Sequence, residues 1–159
     1  MAVRPRQSRP AERRGTTIVE TAFVLPVFLI VLWGVIEFCH AQMLQNVLRS
    51  ACREGARLGS TTGNDTGTVE DHVRDIIGRA VSPGSVQIFV KDASGFDNGQ
   101  PVPEDESQLE SLPSIELTDA EPRQLFLVRA RINYNDVALM PVKFMDGVRI
   151  EGQAFMRHE

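Results

Sequence analysis

The stretch TAFVLPVFLIVLWGVI, residues 21–36, decides the fold, because it carries no charged side chain. Ile18 and Val19 extend it on one side and Phe38 and Cys39 on the other, giving a 22-residue stretch interrupted by Glu20 and Glu37. A helix of that length spans about 30 Å, the thickness of a bilayer's hydrocarbon core. Val, Leu, Ile and Phe lie nearly all round it, so no polar face marks a helix resting on a protein surface. Trp33, toward the far end, suits an interfacial position. The reading is a transmembrane helix over residues 16–39.

The flanks set its direction. Arg4, Arg6, Arg9, Arg13 and Arg14 against Glu12 alone give residues 1–15 a charge of +4, leaving −8 of the total of −4 to the remainder. A basic flank stays on the cytoplasmic side, so residues 1–15 form a cytoplasmic Arg-rich leader and residues 40–159 lie outside. The acidic remainder argues against nucleic acid as a partner, since phosphate contacts need a basic face. A cleaved secretory signal fits less well: its apolar core is shorter, and Cys39-His40-Ala41 is a poor small-x-small site. Glu37-Phe38 before Cys39 does not suit a lipoprotein signal. The two cysteines stand 13 positions apart. On one helix that is about 20 Å, beyond the reach of a disulfide.

Glu20 needs an explanation, because a carboxylate at the bilayer centre costs about 2.5–3.5 kcal/mol, less near the surface. It sits near the cytoplasmic end, so reaching the headgroups is one answer. A specific partner is the other. Gly15 directly follows Arg13-Arg14 and lies five residues before Glu20. Cleavage after Gly15 makes Thr16 the new N-terminus and Glu20 the fifth residue. A free α-amine, with an unperturbed pKa of about 8, is mostly cationic at neutral pH. A neighbouring subunit's amine then neutralises the buried carboxylate and sets the register of assembly.

Arg-Gly followed by x-x-x-x-Glu and an apolar run resembles the processing site of type IV prepilins and pseudopilins. The longer stretch RRGTTIVETAFVLPVFLIVLWGVIEF, with ACREGAR at 51–57, resembles the TadE-like family. Val19-Glu20, Leu25-Pro26, Gly34-Val35-Ile36-Glu37 and Arg53-Glu54-Gly55-Ala56-Arg57 carry the likeness, while Thr21 stands where the family often has an aromatic. The resemblance implies a minor pilin or pseudopilin of a Tad-type pilus in the bacterial inner membrane. Its implied partners are membrane lipid, the prepilin peptidase, other pilins and the inner-membrane platform with its ATPase. Pro26 removes a backbone donor and loosens the helix one turn behind it; in pilin-like helices such a break is thought to allow bending on assembly.

Beyond the membrane, Ala41, Leu44, Leu48, Ala51, Gly55 and Leu58 recur at three- and four-residue steps, one stripe of a helix running from about 17 to 60. Leu44, Leu48, Ala51 and Gly55 are its candidate packing residues. Ser60 to Gly67 is turn chemistry. Thr68, with Asp71 three on, resembles the cap of a short helix with Val69, Val73, Ile76, Ile77 and Ala80 on its apolar face, ended by Pro83-Gly84. Three strands follow by alternation. Val86, Ile88 and Val90 share one face. Phe126, Val128, Ala130, Ile132 and Tyr134 share another, with Arg129, Arg131 and Asn133 opposite. Val148, Ile150, Gly152, Ala154 and Met156 make the third. Such strands predict an antiparallel sheet wet on one side and covered by the 41–59 stripe on the other. The fold class is thus α+β and pilin-like: a long N-terminal helix on about three strands, with one short extra helix. Residues 92–122, with Glu104, Asp105, Glu106 and Glu110 among Pro101, Pro103 and Pro113, read as a flexible acidic loop.

His40, His72 and His158 fall in unrelated contexts, and no phosphate loop or nucleophile elbow occurs. No enzyme, cofactor or metal is suggested. The alternative to a pilus subunit is an uncleaved single-pass anchor displaying a binding or sensory module.

Overall fold

A computed structural model describes residues 14–81, 86–99, 108–109, 111–140 and 147–159. The leader arginines at 4, 6, 9 and 13, Pro83-Gly84, and the residues Pro101, Pro103, Glu104, Asp105, Glu106 and Glu110 lie outside the described residues. Helix α1 runs Arg14–Gly59 and contains Pro26. Helix α2 is Thr66–Gly78. Strands β1 (Val86–Asp92), β2 (Leu125–Asn133) and β3 (Arg149–Arg157) form one antiparallel sheet in the order β1-β2-β3. The fold is α+β: a long N-terminal helix packed on three antiparallel strands, with one short helix.

The chain divides into two units, Met1–Ile36 and Glu37–Glu159. In the first, every residue from 17 to 36 is exposed, including Phe23, Phe28, Leu29 and Ile30. The helix is long and apolar enough to cross a membrane, with a mean hydropathy of 2.4 over its most apolar window. The core helix of a soluble protein would hide such side chains, and only 6 % of that window is buried here.

In the second unit, β2 is central. Its register sets Val128 opposite Val90 on β1 and Ala154 on β3, and Ile132 opposite Val86 and Ile150. Phe126, Val128, Ala130 and Ile132 therefore point to one face, where the core lies. Leu44, Leu48, Ala51, Cys52 and Ala56 of α1 and Val69, Val73 and Ile77 of α2 complete it. Burying each large aliphatic side chain contributes about 1.5–3 kcal/mol. Gly152 of β3 lets the backbone of α1 settle on the strand: a Cβ there would lie 2.4 Å from the Leu48 carbonyl carbon and 2.5 Å from the Arg49 nitrogen. Gly55 does the same for α2, since a Cβ would meet Val73 Cγ2 at 2.2 Å.

Four expectations are corrected. The sheet is wet only in part on its far side, because Leu127 is buried there with Ala93 and Leu109 in a second cluster that Phe96, Leu112 and Leu125 flank. Arg129 on that face is only 5 % exposed and pairs with Glu151. Tyr134 leaves the second alternating run to enter a 3-10 turn, Tyr134–Asp136. The cap of α2 is Asp65, whose carboxylate accepts from the Thr68 amide at 3.1 Å, and the helix ends at Gly78.

The described parts of 92–122 are packed. The Asp92 amide donates to the Pro113 carbonyl, Lys91 bridges to Ser114, and Ile115 and Leu117 are buried. Thr66 donates its amide to Glu116 Oε1 and its hydroxyl to the Ile115 carbonyl, each at 2.9 Å, stitching this return to the start of α2. Composition suggested solvent; the interspersed Ala93, Phe96, Leu109, Ile115 and Leu117 supply enough apolar surface to pack instead.

Candidate functional site

The candidate residues fall into two groups. Gly15, Thr16, Glu20 and Pro26 all stand in the first part of α1, where Glu20 is exposed among apolar neighbours. Leu44, Leu48 and Ala51 are buried in the core of the second unit, Leu44 to 1 % exposure, and Gly55 is buried against Val73. Between these groups lies a residue to which the sequence reading gave no packing role.

Glu37 is 9 % exposed, although it interrupts the apolar run. Helical spacing puts it seven residues before Leu44, on the face that turns to the core. Tyr134, fully buried, donates its hydroxyl to Glu37 Oε2, and the Met140 amide donates to Oε1 at 2.7 Å. A buried carboxylate is tolerable only when its oxygens are hydrogen-bonded in this way. Burial, reinforced by the hydrogen bond and the charge of Glu37, pushes the Tyr134 phenol up to about 12, so it stays a donor at physiological pH. The 3-10 turn holding Tyr134 is fixed in turn, with the Tyr134 amide donating to the Val148 carbonyl at 2.8 Å. The signal that could have found this site was a glutamate at core spacing together with the chain's sole tyrosine.

The far face of the sheet carries a chain of charged pairs. Arg129 meets Glu151, and Arg157 grips Asp97 with two bonds of 2.8 and 2.9 Å. Arg131 lies 5.2 Å over the Phe89 ring and bonds Gln87 at 2.7 Å. These side chains tie strands and the Ser94–Asn98 turn together. Among the described residues, no group of three or more His, Cys, Asp or Glu could hold a metal ion. Cys39 and Cys52 are both free. Cys52 donates to the Gly152 carbonyl at 3.2 Å, and burial pushes its thiol up to about 12.

The two groups of candidate residues and Glu37 thus share one continuous helix, apolar before Glu37 and amphipathic after it. Residues 15–57 match the model of the TadE-like protein family. No curated protein and no solved structure matches the chain. The TadE-like segment opens at Gly15 and closes at Arg57, so it takes in Glu20, Pro26, Glu37 and the packing stripe. It stops before α2 and the sheet. The matched segment lies on the helix that is long and apolar enough to cross a membrane.

Proposed function

We propose that the protein is a minor pilin or pseudopilin that takes part in assembling a Tad-type pilus or a related secretion apparatus. The observation that carries the reading is the TadE-like helix itself: exposed and apolar from 17 to 36, then packed from Leu44 onward. Its first half is suited to lipid or to the apolar helices of neighbouring subunits, and its second half carries a small displayed domain. In this reading the prepilin peptidase cuts between Gly15 and Thr16, and the new α-amine of one subunit meets Glu20 of the next. The inner-membrane platform, its ATPase and other pilins are the partners. The leader is cytoplasmic and the sheet domain extracytoplasmic.

N-terminal sequencing of the protein from native membranes tests the processing step. Thr16 in first place, together with loss of pili on deletion of the gene, supports the proposal. An intact Arg-rich head with normal piliation points instead to an uncleaved anchor displaying a binding module.

A further inference from the structure

Large apolar side chains are exposed in the second unit. Among the described residues they are Phe38, Met43, Leu139, Met140, Val148 and Phe155. Phe155 packs edge-on against Phe96, 5.9 Å between ring centroids, at the second cluster of the far face. Of the other five, Met140 is bonded to Glu37, and Phe38 and Leu139 adjoin that pair in sequence. Phe38 follows Glu37 on α1 and Met43 lies less than two turns on. Met140 gives its amide to the Glu37 carboxylate at 2.7 Å, and Leu139 is the residue before it. Val148 accepts from the amide of Tyr134, the residue whose hydroxyl reaches Glu37.

Leu139 is 56 % exposed and Met140 45 %. Beneath them Val137 and Ala138 pack on the core, and the Ala138 amide donates to the Tyr134 carbonyl at 2.8 Å. The two apolar tips therefore stand on a fixed base rather than on a free loop. Glu37 directly follows Ile36, the last residue of the charge-free run, on an unbroken helix. A residue bonded to Glu37 is therefore close to the end of that run, and the end of a membrane-spanning run is the zone where apolar side chains meet headgroups.

We propose that the 137–140 turn is a membrane-contacting lip, with Leu139 and Met140 inserted into the outer interface beside the helix exit, and that Glu37 holds it at that depth. The occupant is a lipid surface. What favours it is continuity: Met140 is bonded to the residue that directly follows a segment that itself needs lipid. This rests on the single-pass reading above. It assigns the second unit a face of its own toward the membrane, and it gives a reason for a glutamate at the end of an apolar run.

The test uses the full chain in liposomes, with Cys39→Ser to leave only the buried Cys52. Single cysteines replace Leu139, Phe28 or Thr61 and carry an environment-sensitive fluorophore. The expected result is that shallow spin-labelled lipids at least halve the emission at position 139 and spare position 61, while deep-labelled lipids quench position 28. Quenching at 28 with position 139 open to an aqueous quencher overturns the lip and leaves the anchor standing. No lipid quenching at 28 removes the anchor and the lip with it. Position 139 shielded from water but not quenched by lipid, with shielding that grows with protein density, assigns the surface to a second copy of this chain and overturns the proposal.

Discussion

Tyr134 donates its hydroxyl to Glu37 across 97 residues of sequence, joining the turn after β2 to the helix at the point where the apolar run ends. Tyr134→Phe keeps the ring and removes the donor. A hydrogen bond to a charged group contributes about 1.5–3 kcal/mol, and that loss is expected in denaturant unfolding of the full chain in detergent. Glu37→Gln can still accept from the phenol, but its NH2 then faces the Met140 N–H, so it too should destabilise. The double variant should lose less than the two added together, because both changes strike one contact. Strict additivity would mean that the pair contributes nothing jointly.

Gly152 is where strand and helix backbones meet. Gly152→Ala forces Leu48 and Arg49 away from β3, and overpacking of this kind costs about 1–3 kcal/mol. Gly67 in the first turn of α2 is the comparison, since a Cβ there has its nearest neighbour at 3.5 Å. Gly67→Ala should gain about 0.4–1 kcal/mol through the unfolded chain. Thermal unfolding of both variants checks the contrast, and equal effects would remove the close approach as the cause.

The acid limb of stability should depend on α2. Hydrogen bonds from Thr68 hold Asp65 below its ordinary 3.8, and bonds from Thr66 hold Glu116 below 4.5. A depressed carboxylate contributes stability above its ordinary value and loses it as pH falls through the folded one. Glu70 is opposite in sign: partial burial raises it despite Arg74, so its protonation relieves a penalty as pH falls. Asp65→Asn and Glu116→Gln should flatten the decline below about pH 4.5, and Glu70→Gln should steepen it. Unfolding midpoints between neutral pH and acid read both directions.

Cys52 should resist alkylation in the folded chain. It has no exposed surface and its thiol is pushed up to about 12, so little thiolate exists at neutral pH. With Cys39→Ser, mass spectrometry should find no adduct in the folded protein and a single one after denaturation. An adduct in the folded state would mean that β3 leaves α1 readily.

Glu20→Gln separates anchoring from assembly. Removing a carboxylate from the span favours insertion by at most about 2.5–3.5 kcal/mol, so extraction from the membrane should not rise. Piliation should be lost if a neighbour's amine depends on that charge. Normal pili in this variant would leave Glu20 as a residue that merely reaches the headgroups.

Regular periodicity made much of this fold legible. The alternation of Val86 to Val90, of Phe126 to Ile132 and of Ile150 to Met156 matches the three strands, and the Leu44, Leu48 and Ala51 stripe lies in the core. Reading failed where partners are distant. Nothing near Leu127 foretells its burial on the far face, because Ala93, Phe96, Leu109 and Leu112, which pack with it, come from a connection whose composition resembles solvent-exposed chain. Asp65 was hidden behind Thr68 as a cap because both residue types serve that role, and only the backbone decides which one does. Of the candidate site, the TadE-like helix could be read from order and spacing, whereas Glu37 needed Tyr134 and Met140, brought to it by the sheet.

The seating of α1 on Gly152 has a consequence for biogenesis. The bond from Cys52 reaches a carbonyl 100 positions downstream, so the first helix of the chain is among the last to be roofed. Until β3 has been made and docked, Leu44 and Leu48 face water without their seat. The nascent chain is therefore half-dressed until its last strand arrives, and whatever shields that stripe meanwhile governs how much of it survives.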